Sequence, residues 1–247
     1  GLAHMMPRFT NSAFDPGLKH CVPYTWGTTG IGFSLAKMTE LGLVKDSSNL
    51  SLPWEVFWDK RLSQRMTLLD DGREVIGMAL KMAGHSYNTV KEPLIASATN
   101  RLIEQKPLTM CYTSDQVIVE LASGDSYLSQ VFSGDAYQAR RDNPDLRYVI
   151  PSNGASIWTD NFCIPKTAPH VDLAYKWINY MLEPAVAAAC ANFTNYAQTT
   201  LVRASWGAAT TVGGKASSTY ATIQSWTCGA SGNTVYGYYV VGATSGV

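Results

Sequence analysis

MTLLDDGREVIGMALKMAGH, residues 66–85, decides the fold, because its hydrophobic period changes in the middle. Met66 to Leu69 make a short, largely apolar run that ends in acid at Asp70 and Asp71, the pattern of a buried strand. Beyond Gly72, the apolar residues Val75, Met78, Ala79 and Met82 fall at i, i+3, i+4 and i+7, which is one face of a helix. A strand that leads straight into an amphipathic helix is the building material of an α/β chain.

The alternation continues outward in both directions. Upstream, 22–34 reads as extended with a Gly-rich turn inside it, and 34–43 as a short helix. Residues 52–62 read as a second helix, with Trp54, Val56, Phe57 and Leu62 buried. Downstream, 90–105 and 114–124 read as helices, and 126–133, 146–151 and 156–165 as strands. Residues 171–182 make an amphipathic helix, and Pro184 suits the first turn of the next one. Strands alternating with helices predict an α/β fold with a largely parallel sheet.

Composition removes several function classes. The 19 basic and 19 acidic residues cancel, so no basic surface points to nucleic acid or to an anionic membrane. No run of about eighteen apolar residues exists to span a membrane. The first residues, GLAHMMPRFT, contain no apolar signal core, so either a signal was removed or the chain starts within a longer gene product. The five cysteines, Cys21, Cys111, Cys163, Cys190 and Cys228, are far apart and read as buried free thiols, with one disulfide of unassignable pairing as the alternative. No metal-binding spacing joins them to His4, His20, His85 or His170. Neither a nucleophile elbow nor a phosphate loop is present, and GTTGIG (27–32) reads as a turn, so no cofactor is expected. After about residue 200 the composition shifts: 201–247 carries only Arg203 and Lys215 as charges, and GNTVYGYYVVG (232–242) alternates as a strand would.

Three local features suit one kind of ligand. Asp71 and Glu74 lie three residues apart at a strand-to-helix junction, where both can face one point. The same spacing is also that of a capping box, with Asp71 as N-cap and Glu74 at the third helical position. Trp158 and Asp160 are i and i+2 of a strand and so share a face. An indole beside a carboxylate suits an alkylammonium, the ring taking the methylenes and the acid the charge. An ordinary core tryptophan is the bland alternative. Phe132, where a strand turns toward a helix, offers an aromatic wall; equally, it is a core residue with Asp135 as a helix cap.

Taken together, FDPGLKHCVPYTWGTTGIGF, LLDDGREVIGMALKMAGHSYNT, NPDLRYVIP, SIWTDNFCIPK and INYMLEPAVAAACANF resemble the spermidine/putrescine-binding proteins of bacterial ABC importers. They look most like versions from cyanobacteria or related lineages. The resemblance covers about residues 7–200, with the motifs in one order. It implies a two-lobed periplasmic binding protein fold (type II) that binds polyamine without chemistry, resides in the periplasm and serves a membrane permease. Carried over by motif, Asp71 and Glu74 would bind polyamine nitrogen, and Trp158 and Asp160 would supply a wall and a further acid. Phe132 would hold a position where the family usually has Trp or Tyr.

The resemblance also has edges. The family carries a further N-terminal stretch that forms most of the first lobe, and its C-terminal segment is helical. The expectation is therefore one complete lobe, 28–154, flanked by 1–27 and 155–200 from a partial one, with 201–247 as a tail of unclear fold. A β-rich surface or assembly protein built on a fragment of this family is the alternative reading. An enzyme on the same fold is a third, and no cofactor motif supports it.

Overall fold

The computed structural model describes residues 1–200, together with the backbone of Trp226–Cys228 and Asn233–Val235. The strands are β1 (Asn11–Ser12), β2 (Asp15–Pro16), β3 (Cys21–Ser34), β4 (Met66–Leu68), β5 (Cys111–Tyr112), β6 (Leu128–Phe132), β7 (Leu146–Val149), β8 (Ile157–Cys163), β9 (Ala197–Gln198), β10 (Trp226–Cys228) and β11 (Asn233–Val235). The α-helices are α1 (Leu35–Glu40), α2 (Gly72–Met82), α3 (Glu92–Gln105), α4 (Val117–Ser123), α5 (Ser133–Asp142), α6 (Val171–Met181) and α7 (Pro184–Thr194). The chain divides into two units, one of Gly1–Trp26 with Thr159–Val247, the other of Gly27–Trp158. It passes from one to the other inside β3 and returns inside β8.

The unit of Gly27–Trp158 is built on a sheet in the order β5-β4-β6-β3-β7. The expected parallel character holds only in part. β4 pairs in parallel with β5 and β6, whereas β3 runs antiparallel to β6 and β7. The reason lies in the connections. Helical crossovers, α2 with α3 and then α4, join β4, β5 and β6, and a crossover returns a strand in the same direction. β3 enters from the other unit without such a helix, so the sheet is mixed.

The 66–85 stretch folds as its period dictates. β4 is buried throughout, and α2 turns Val75, Met78 and Ala79 into the same core as Phe33, Met38, Trp54, Phe57 and Leu68. Full burial of one such side chain is worth roughly 1.5–3 kcal/mol. The second upstream helix is a correction. Residues 52–62 form two 3-10 turns, Trp54–Trp58 and Lys60–Leu62, because Asp59 adopts an extended backbone between them and caps the second. The four apolar residues expected there are buried nonetheless.

The Gly-rich turn is a second correction. Cys21–Ser34 is one continuous strand, and none of its glycines has positive φ. They serve close approach instead. A Cβ on Gly30 would fall 2.5 Å from the Val149 carbonyl oxygen, and one on Gly32 would fall 2.8 Å from Val131. β3 is thus crowded by its neighbours and has no room for side chains at these positions.

The other unit carries a smaller core of Met5, Phe9, Ile178 and Leu182. Its β9 pairs antiparallel with the start of β3, Thr25 opposite Gln198 and Trp26 opposite Ala197. The Arg8 guanidinium lies 4.4 Å from the Trp26 ring centroid and 4.7 Å from that of Phe9. Asp15 closes the entry loop: its carboxylate accepts from the N–H groups of Lys19, His20 and Cys21 at 2.9–3.0 Å. The cysteine expectation needs correcting here. Cys21, Cys111 and Cys190 are free thiols but only half-buried, and Cys163 is exposed; Cys21, Cys111 and Cys163 sit at strand ends, and Cys190 on α7 is outside the core clusters. The 201–247 reading, including most of the strand expected at 232–242 and the Cys228 thiol, lies outside the described residues; the backbones of β10 and of its antiparallel partner β11 are the described exceptions.

Candidate ligand-binding site

Asp71 is the N-cap of α2. Its Oδ1 accepts from the N–H groups of Arg73 at 2.8 Å and Glu74 at 3.2 Å. Such a cap contributes about 1 kcal/mol. Both bonds fall on one oxygen, and the residue is exposed. The capping-box reading of Glu74 fails. Its side chain turns inward, to 6% exposure, and finds other donors.

Those donors define the centre of the site. The Tyr87 hydroxyl donates to Glu74 Oε2 at 2.5 Å, with the Glu74 carbonyl oxygen 2.9 Å away. The Ser156 hydroxyl donates to the same Oε2 at 2.9 Å. Gln130 Nε2 donates to the Glu74 carbonyl at 3.0 Å. Two hydroxyl donors satisfy one oxygen of this buried side chain. Burial, then the neighbouring Glu74 carboxylate, push the Tyr87 phenol far above its usual range, so it remains a donor at any ordinary pH.

Tyr87 can reach Glu74 because α2 has no side chain in its way. A Cβ on Gly77 would fall 2.1 Å from the Tyr87 ring. The aromatic wall rests on the same device. Trp158 lies over Gly27, where a Cβ would come within 2.5 Å of the indole. Phe132 meets Trp158 edge-on, centroids 5.6 Å apart at 83°. Both rings are half-buried, so each keeps an exposed surface. Ser156, which donates to Glu74, immediately precedes β8, and Trp158 stands two residues further on within it.

Asp160 belongs to the unit of Thr159–Val247. It is exposed, and partial desolvation lifts its carboxyl above the usual carboxylate range. It stands two residues after Trp158 in the sequence of β8. Asp135 is not a cap: α5 begins at Ser133, with Phe132 in the cap position, so Asp135 falls in the first turn. Among the described residues, no group of three or more His, Cys, Asp or Glu side chains could hold a metal ion.

Tyr87 and Ser156 were not legible as site residues. Tyr87 follows the end of α2, where no spacing marks it; Ser156 stands two residues before Trp158, and the strand period alone could have flagged it.

Residues 2–211 match the model of the bacterial extracellular solute-binding protein family. This chain belongs to that family. Among curated relatives of this solute-binding protein, the spermidine/putrescine-binding periplasmic protein of Escherichia coli (strain K12) is 31% identical over 194 residues, covering 78% of this chain and 53% of the relative. The putrescine/cadaverine-binding protein of Pseudomonas aeruginosa is 30% identical over 185 residues, covering 71% of this chain and 51% of the relative. Among solved structures, PotD of Streptococcus pneumoniae, a spermidine/putrescine ABC transporter substrate-binding protein, superposes with a TM-score of 0.67 at 31% identity, covering 81% of this chain and 59% of that one. The Tp0655 (TpPotD) lipoprotein of Treponema pallidum gives a TM-score of 0.70 at 28% identity, covering 81% of this chain and 62% of that one. The fold of this solute-binding protein is the α/β type II periplasmic binding fold, of which the chain covers a part. It spans about half the length of the curated relatives it matches.

Proposed function

We propose that this chain binds a polyamine, as the substrate-binding component of an ABC importer outside the cytoplasmic membrane, without chemistry on the ligand. The observation that carries the reading is the buried Glu74 carboxylate, supplied with hydroxyl donors by Tyr87 and Ser156 and linked through Ser156 to the Trp158–Phe132 corner. A diaminoalkane needs two things, anions for its ammonium ends and flat apolar surface for its methylenes. Glu74 and Asp71 offer the first, and the two rings the second. Asp160 is the third proposed carboxylate, supported by its position two residues after Trp158 on β8. The names of the relatives support polyamine over other cations. A membrane permease is the partner that such a component requires.

Phe132 keeps a π face but has no polar edge, so it contributes contact without a hydrogen bond. Calorimetric titration with putrescine and spermidine tests the proposal. Binding is expected for at least one, and Asp160→Asn should weaken it by more than about tenfold, since a charge-assisted bond is lost. Absence of heat from both ligands at millimolar concentration would overturn it.

A further inference from the structure

Cys21 opens β3 and Cys163 closes β8, and both lie in the same unit, that of Gly1–Trp26 and Thr159–Val247. β8 pairs with β3 in the sheet. The side chains meet there: the Cys21 thiol lies 3.5 Å from Asn161 Oδ1 and 3.3 Å from Asp15 Oδ2. Asn161 and Cys163 are i and i+2 on β8, so Cys163 faces the side on which Asn161 meets Cys21. Cys163 is among the groups that push the Cys21 thiol up, after burial and Asp15. Both are reduced, Cys21 half-buried and Cys163 exposed.

We propose that Cys21 and Cys163 are a modification site, the two halves of a cross-strand disulfide that closes by exchange with an oxidant of the disulfide class. The exposed Cys163 thiolate attacks the oxidant's S–S bond, forming a mixed disulfide and releasing one reduced thiol. Cys21, after giving its proton to solvent, attacks the Cys163 sulfur and releases the second thiol. Two protein thiols and one oxidant disulfide thus become one protein disulfide and two reduced thiols. Burial first, and the Asp15 carboxylate second, push the Cys21 thiol up to about 11, which marks it as the resolving and not the attacking sulfur. Cys111 lies in the other unit, and Cys190, on α7, neighbours Tyr24 of β3 and is the competing thiol that the peptide map must separate from Cys163.

The bond would have a particular topological meaning. The loop it closes contains every residue of the Gly27–Trp158 unit. It would tie together the strands by which the chain leaves and re-enters the other unit. A long closed loop restricts the unfolded chain most, so the oxidised form should melt at higher temperature than the reduced one.

The test uses the full chain and oxidised glutathione. After incubation, free thiols are alkylated, and the protein is weighed intact and digested without reductant. The expected result is an intact mass with three alkyl adducts in place of the five on the reduced protein and two hydrogen atoms lost, and a cross-linked peptide pair containing Cys21 and Cys163. In Cys21→Ser, the expected result is one glutathione retained on Cys163. Recovery of Cys21 and Cys163 as alkylated free thiols would overturn the proposal. So would a dominant bond from either to Cys111, Cys190 or Cys228.

Discussion

Tyr87 carries more of the site than its position suggests. Its hydroxyl serves both the side chain and the carbonyl of Glu74, and it is the donor that lets an acid sit at 6% exposure. Removing that donor leaves a buried acceptor partly unsatisfied, which costs about 1–3 kcal/mol. Tyr87→Phe is accordingly expected to lower the unfolding free energy by that amount, read as a lower urea midpoint with an unchanged denaturant slope. An unchanged midpoint would mean that water replaces the phenol. At this scale the sequence was partly readable. Asp71 announces itself as a cap through its place before a helix, and the structure keeps it there. Glu74 carries the same local signal and does something else, because the donors that capture it stand 13 and 82 residues away. A short-range pattern has no access to such partners.

β3 shows what a sequence pattern confuses at the scale of an element. Three glycines in six residues imitate a turn, since glycine is the residue that turns demand. In the structure they are the opposite, positions of contact inside a strand 14 residues long. The distinction depends on neighbours, Val149 and Tyr148 at Gly30 and Val131 at Gly32, that come from β6 and β7. Gly30→Ala should therefore destabilise by about 1–3 kcal/mol through overpacking against a backbone carbonyl that cannot rotate away. Chemical denaturation measures it, and a neutral result would show that β7 can shift. α2 is the contrasting case. Its periodic face fixes its own burial, so its type and inner face were legible from spacing alone. The direction of β3 was not, because no residue pattern encodes which way a strand enters a sheet.

Asp15 is one of the carboxylates that tie the stability of the molecule to pH. Burial alone would raise its carboxyl, but the N–H groups of His20 and Cys21, the Cys21 thiol and the Lys19 N–H outweigh it, and its pKa falls from 3.8 to about 2. A carboxylate depressed in the folded state stabilises the fold above its unfolded value and loses that contribution as pH falls through the folded one. Wild type should be more stable than Asp15→Asn at neutral pH, and the gap should close between pH 3.8 and about 2. Denaturation curves across that range check it; a gap independent of pH would exclude ionisation as its source. The two-unit organisation is a whole-molecule property, and in the sequence only the family resemblance implied two lobes. Periodicity identifies elements, whereas membership of a unit depends on contacts between residues as distant as Thr25 and Ala197.

The close seat of Tyr87 on Gly77 reaches beyond one protein. Any side chain at 77 evicts the aromatic at 87, and loss of the aromatic frees 77 to grow. Divergence should thus treat the two sites as one character, moving between a bare helix face roofed by a ring and a filled face with no roof. Lineages caught between those states would carry either a hole or a collision, and selection would pass quickly through both.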